Sequence, residues 1–269
     1  MPRVIDLMQP HWAYFFGFCQ ADGHLWQGKG QKGKLSIELK GDDIALLDFF
    51  ATFIPHPCRI YQRVRNTNFK QDYQSSCLTL SNLAFRQELK DLGFPTGKKS
   101  TIVAPPTVAF SSPDYFRGWI DADGSVGITG QGLPFVSFCT KSLAIASALE
   151  SFAQEITGTP RGLKENKRDR VYNLMYTKEA AQKLVAVLYP ENVIALQRKV
   201  EAAKKVLEWE RPDGMSFAPP RKRWSETEDA IVLEYPVQEV AQFLGRTEKS
   251  VLIRAWRLHK MGSSENLTE

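Results

Sequence analysis

The chain has 269 residues, 43% of them hydrophobic and 24% charged, with a net charge of +5 and a pI near 8.9. This is enough for a sizeable core and more than one domain, and it excludes a largely disordered chain. No apolar run approaches the roughly 20 residues needed to span a bilayer, and Met1–Asp6 has no signal-peptide pattern. A soluble intracellular protein of cytoplasm, nucleoid or organelle matrix, with no membrane partner, is expected.

In chain order, the first predicted element is a buried helix over Phe15-Phe16-Gly17-Phe18-Cys19-Gln20-Ala21-Asp22-Gly23, an apolar run ending in an acid and a glycine. Gly28-Lys29-Gly30-Gln31-Lys32-Gly33 fits the dinucleotide-binding spacing, but with no strand expected before it and a strand after it, a basic hairpin loop is the reading. Lys34–Lys40 alternates as a strand, and Asp43–Phe50 has helical spacing. Cys58–Arg65 and Ser76–Leu80 form a further strand pair, and Leu83–Leu92 closes the unit as a helix.

The pattern then repeats. Phe116-Arg117-Gly118-Trp119-Ile120-Asp121-Ala122-Asp123-Gly124 restates the first run, Asp123 standing 101 positions after Asp22. Pro134–Lys141 follows as a strand and Leu143–Phe152 as a helix. Gly162–Lys164 with Val171–Tyr176 would supply another strand pair, and Lys178–Leu188 and Val193–Trp209 would be helices. Gly17, Gly118, Ala21 and Ala122 are small enough to let the two acid-bearing helices pack closely. Two neighbouring carboxylates repel unless a cation lies between them, and a hard divalent ion is the natural one. The four cysteines, Cys19, Cys58, Cys77 and Cys139, form no metal spacing and read as small core residues; His11, His24, His56 and His259 form none either.

Arg211–Arg223 is rich in Pro and charge and reads as a basic linker. Ser225-Glu226-Thr227-Glu228 has the capping-box pattern before an apolar helix; Val237–Leu244 forms a second, ended by Gly245, and Thr247 caps a third. Trp224, Leu244, Val251 and Trp256 are the expected core of this small unit.

Both nonapeptides resemble the LAGLIDADG motif of homing endonucleases, with Gly17 and Gly118 at its third position and Ala-Asp-Gly at its end. Gln20 stands where the motif has its earlier acid, supplied in the second copy by Asp121. The final helices resemble a helix-turn-helix of the Myb/SANT kind. The resemblance implies an α+β fold of two pseudo-symmetric αββαββα repeats forming a DNA-binding saddle, residues 10–108 and 109–210. A linker over 211–223 and an all-α helix-turn-helix domain over 224–262 follow.

It also implies a monomeric site-specific endonuclease that makes double-strand breaks in a long asymmetric DNA target. Asp22 and Asp123, with the carbonyls of Ala21 and Ala122, would hold Mg2+, with Mn2+ substituting and Ca2+ binding without cleavage. Lys40, Lys141, Lys99 and Lys199 would be the basic catalytic groups, with Lys98 and Arg198 as neighbouring candidates. DNA contacts in the first repeat would come from Arg59, Gln62, Arg63, Arg65, Asn68 and Lys70, beside Asn66. In the second they would come from Arg161, Lys164, Asn166, Lys167, Arg168 and Arg170. Arg221, Lys222 and Arg223 would track phosphates, and Arg246, Lys249, Arg254 and Arg257 would flank the recognition helix. The alternatives on this scaffold are a maturase that binds intron RNA and a non-catalytic DNA-binding regulator.

Overall fold

The computed structural model describes residues 4–66, 71–215 and 224–265. Two compact units emerge, Met1–Arg211 and Pro212–Glu269. In the first, α1 (Pro10–Asp22) is followed by β1 (His24–Gln27), β2 (Gly33–Lys40), α2 (Ile44–Phe53), β3 (Arg59–Arg65), β4 (Tyr73–Leu80) and α3 (Leu83–Asp91). The second repeat runs α4 (Ser112–Asp123), β5 (Gly124–Ile128), β6 (Pro134–Thr140), α5 (Leu143–Thr157), β7 (Tyr172–Thr177), α6 (Glu179–Leu188) and α7 (Gln197–Leu207). The fold is therefore α+β, with helices packed on two antiparallel sheets.

The first sheet has the order β1-β2-β4-β3 and the second the order β5-β6-β7. Two expectations change here. Gly162–Lys164 forms no strand; the segment contributes one isolated bridge, Glu165 to Tyr172, so the second sheet has three strands where the first has four. A strand, β1, does precede the glycine-rich loop, which is the turn of the β1–β2 hairpin. The segment is still no nucleotide loop, since strands flank it on both sides. Sequence reading missed β1 and β5 because each is only four or five residues long and begins immediately after a helix.

Why α1 and α4 form the centre follows from their composition. Trp12 through Gln20 are all buried, so α1 has no solvent face, as expected for a helix enclosed on every side. A Cβ on Gly17 would overlap the carbonyl of Tyr115, and one on Gly118 would overlap that of Tyr14 and lie 2.7 Å from Phe18 N. The backbones touch where the side chains are missing. Phe50 and Phe53 meet Phe15 edge-to-face and Phe85 meets it at a tilt, closing the first repeat around α1, while Trp119 packs on Phe138 in the second. Both repeats share one core. Cys19 and Cys77 belong to the interior, Cys58 is half-buried and Cys139 is exposed, because Cys139 falls on the outward parity of β6.

The second unit contains α8 (Glu226–Glu234), α9 (Val237–Leu244) and α10 (Glu248–Glu265). Ser225 and Glu228 form both bonds of the capping box, Gly245 is left-handed at φ 60°, and Thr247 Oγ1 accepts from Ser250 N at 3.2 Å. Val232, Val240, Ala241 and Val251 are its core, with Trp224 and Leu244 packed against them. Trp256 is 60% exposed and not part of that core.

Candidate metal centre and nucleic-acid face

The close helix packing brings the C-terminal ends of α1 and α4 to one cleft of about 580 Å³, lined by Asp22, Asp123, His24, Lys98, Lys99 and Lys141 among others. Both carboxylates reach solvent there. The protein around them still removes much of their hydration. This crowding pushes Asp22 up to about 6, the charge of Asp123 adds to the rise, and Lys99 opposes it. Asp123 is raised for the same first reason, against Lys99 and Lys199. Two carboxylates held at the negative ends of two helix dipoles form a site that attracts cations.

Lys99 and Lys199 answer the dipoles directly. Lys99 Nζ donates to the carbonyls of Cys19 (3.3 Å), Ala21 (2.7 Å) and Gly23. Lys199 Nζ donates to those of Ile120 (2.5 Å) and Gly124 (2.6 Å). Each ammonium satisfies carbonyls that a helix end leaves unpaired. Burial lowers both amines, Lys199 to about 8. The two lysines are therefore pseudo-symmetric caps that place a positive charge beside the carboxylates.

Lys141 lines the cleft. Its expected counterpart Lys40 does not; it pairs with Asp42 at the exposed end of β2. Arg198 pairs with Asp43 at 3.1 Å.

Beneath the carboxylates lie two buried polar residues. Asp121 accepts from Tyr14 Oη (2.6 Å), Tyr189 Oη (2.7 Å) and Leu196 N (2.8 Å). Gln20 occupies the equivalent place, accepting from Tyr115 Oη at 2.5 Å and donating through Nε2 to the carbonyls of Gly93 (2.9 Å) and Ala104 (3.0 Å). Tyr14 and Tyr115 each reach across to the opposite motif helix, tying the two together. Sequence reading missed Tyr14, Tyr115 and Tyr189, although the first two lie 101 positions apart, as Asp22 and Asp123 do. It also missed Arg117, which is buried, pairs with Asp114 and donates to the carbonyls of Leu188 and Ile194.

On the first sheet, Arg59, Arg63 and Arg65 share the outward parity with Ser36, Glu38 and Lys40. Arg63 and Arg65 both pair with Glu38. Gln62 falls on the opposite parity, with Ile60 and Leu78, so it is not on the arginine face. In the second repeat Arg161, Lys164, Lys167, Arg168 and Arg170 lie in the connection before β7; Arg168 pairs with Asp169 and Arg170 with Glu165. Asn166 is engaged locally, its Oδ1 accepting from Arg168 N at 3.0 Å, and Asn66 closes its own loop by accepting from Asp72 N. Asn68, Lys70, Arg221, Lys222 and Arg223 lie outside the described residues.

The second unit differs most from expectation. Arg246 pairs with Glu228 and stacks 3.8 Å from the Trp224 ring centroid; Arg254 pairs with Asp229. Arg254 joins α10 to α8, and Arg246 joins the turn after α9 to α8. Lys249 and Arg257 are exposed. The described residues 224–265 hold seven acids and five bases, so they carry no positive excess of their own.

No known family model matches the chain, and no curated protein matches it in sequence. Solved structures do. They include the homing endonuclease I-WcaI bound to its DNA recognition sequence, with TM-score 0.50 and 14% identity over 72% of this chain and 87% of that one. The fold is that of a LAGLIDADG homing endonuclease. Variants of the homing endonuclease I-DmoI (TM-score 0.49, 14% identity, 76% of this chain and 99% of that one) and I-GzeII in complex with DNA target (0.46, 13%, 73% and 88%) are similar at a lower level. At 14% identity the likeness to I-WcaI shows the fold alone.

Proposed function

We propose that the chain is a metal-dependent, site-specific DNA endonuclease of the homing type, acting as a monomer on a long asymmetric target and breaking both strands. The observation that carries this reading is the pairing of Asp22 and Asp123 in one cleft, each at the end of the central helix of its own repeat. Two equivalent carboxylates under two sheets suit two phosphodiesters related by the same pseudo-symmetry. A purely binding role would leave them without a use.

The donor set fits a hard divalent ion, Mg2+ by preference: two carboxylates and nearby main-chain carbonyls are all oxygen ligands. Among the described residues no group of three or more His, Cys, Asp or Glu could hold a metal ion, so main-chain carbonyls, water and the substrate phosphate would have to complete the shell around the two carboxylates. Asp22 and Asp123 would hold the ion, with Ala122 O available to the shell; Ala21 O is bonded to Lys99. The bound ion would acidify a water and stabilise the leaving oxygen.

The chain's own groups do the rest. Lys99 and Lys199 hold positive charge beside the reacting phosphate, and Lys141 at the cleft wall is placed to contact it. Arg59, Arg63 and Arg65 on the first sheet, and the basic connection before β7, bind the duplex.

The test is cleavage of a randomised duplex library in Mg2+, with Asp22→Asn and Asp123→Asn as controls. Discrete double-strand cuts lost in both variants are expected. Binding with no cutting in Mg2+ or Mn2+ would sink the nuclease reading.

A further inference from the structure

The ladder registers give the two sheets opposite outward faces. On the first, the outward positions include Lys34, Lys40, Arg59, Arg63 and Arg65, with Glu38 as the one acid among them. Glu38 fixes two of the guanidinium groups side by side, so they are pre-oriented. On the second sheet, Ser125 faces Ser137, and Phe135 and Ser137 pair with Thr177 and Met175. Asn173, opposite Cys139, shares this side. Among the described residues of β5, β6 and β7, no outward position is charged. Met175 is 43% exposed; Lys141 stands just past the end of β6 at the cleft, and Arg161, Lys164, Lys167, Arg168 and Arg170 sit in the connection over 161–170, off the strands.

These surfaces read different bases. A guanidinium matches the O6 and N7 acceptors of guanine, whereas an uncharged surface of thioether, phenyl, hydroxyl and amide groups matches the thymine methyl and, through asparagine, adenine. Resting on the endonuclease reading above, we infer that the two half-sites differ in composition. The half under the first sheet carries guanines read by Arg59, Arg63 and Arg65. The half under the second is A·T-rich, its thymine methyls read by Met175 and Phe135 and an adenine by Asn173. The first half supplies most of the salt-dependent affinity; the second supplies discrimination by shape and apolar contact.

The full-length chain is first used to select its target from a randomised duplex. Two base analogues then probe each half of that target separately. 7-Deazaguanine deletes the N7 acceptor, and deoxyuridine deletes only the thymine methyl. Binding in one half is expected to fall about tenfold per 7-deazaguanine contact. In the other half it is expected to fall about fourfold per lost methyl. Arg65→Ala should shrink the first effect alone and Met175→Ala the second alone, which assigns each half to its sheet. Equal responses in the two halves, or an assignment reversed by the variants, overturn the inference while leaving the endonuclease intact. A chain that selects no duplex at all overturns both.

Discussion

Gln20 and Asp121 stand at the same place in two copies of one device, yet they are not interchangeable. Every partner of Asp121 is a donor: two tyrosine hydroxyls and a backbone N–H. Gln20 has one donor, Tyr115, and two carbonyl acceptors, Gly93 and Ala104. A carboxylate suits the first set and an amide the second. The departure of the first motif from an acid at this position is thus a local fit to the loop beneath it. The repeats are symmetric where they meet and where the charges converge, and they diverge where each faces its own surroundings.

The largest effect is expected where the symmetry is functional. Asp22→Asn and Asp123→Asn should each abolish double-strand cleavage while duplex binding persists, and neither should unfold the chain. A variant that still breaks both strands at wild-type rate would remove its carboxylate from the chemistry.

Next comes the shared helix seam. Gly118→Ala must push Tyr14 O and Phe18 N aside, and overpacking of this kind costs about 3 kcal/mol. Because the seam sets the spacing of the carboxylates, cleavage should fall further than binding. Denaturant unfolding gives the first number, and a change below about 1 kcal/mol would mean that the helices can separate at little cost.

Isosteric swaps sharpen the comparison beneath the cleft. Gln20→Glu sets a carboxyl against two fixed carbonyl oxygens and should destabilise by about 3 kcal/mol. Asp121→Asn should cost only about 1 kcal/mol, because tyrosine hydroxyls can rotate to accept from the new amide. Equal costs in urea melts would show that the two environments are not the opposites described above.

How much of this was legible in the sequence depends on the range of the interaction. The paired glycines, the acids at the helix ends and the order of helices and strands could be read, because each is local and each occurs twice. The 162–164 segment misled because its alternation, Gly-Leu-Lys, is too short to specify pairing. In the sequence, Lys99 and Lys199 read as catalytic groups and Arg246 and Arg254 as DNA contacts beside a recognition helix. The fold makes the first two caps of the motif-helix ends and the last two ion-pair partners within a separate unit, which no charge pattern discloses. Gln20 could not be interpreted at all, since its partners come from 73, 84 and 95 positions away.

The smallest stability change is expected at Glu38, where the first sheet departs most from the second. Its pairs with Arg63 and Arg65 are partly exposed, and such ion pairs contribute about 1 kcal/mol or less. Glu38→Gln should therefore leave the unfolding midpoint almost unchanged. Its effect should appear in recognition instead. Without the carboxylate the two guanidinium groups lose their common orientation and keep their charge, so the half-site they read should tolerate more base changes while overall affinity holds or rises. Loss of affinity together with loss of discrimination at a single C·G pair would make Glu38 itself the group that contacts DNA, through the amino group of a cytosine, which carboxylates recognise.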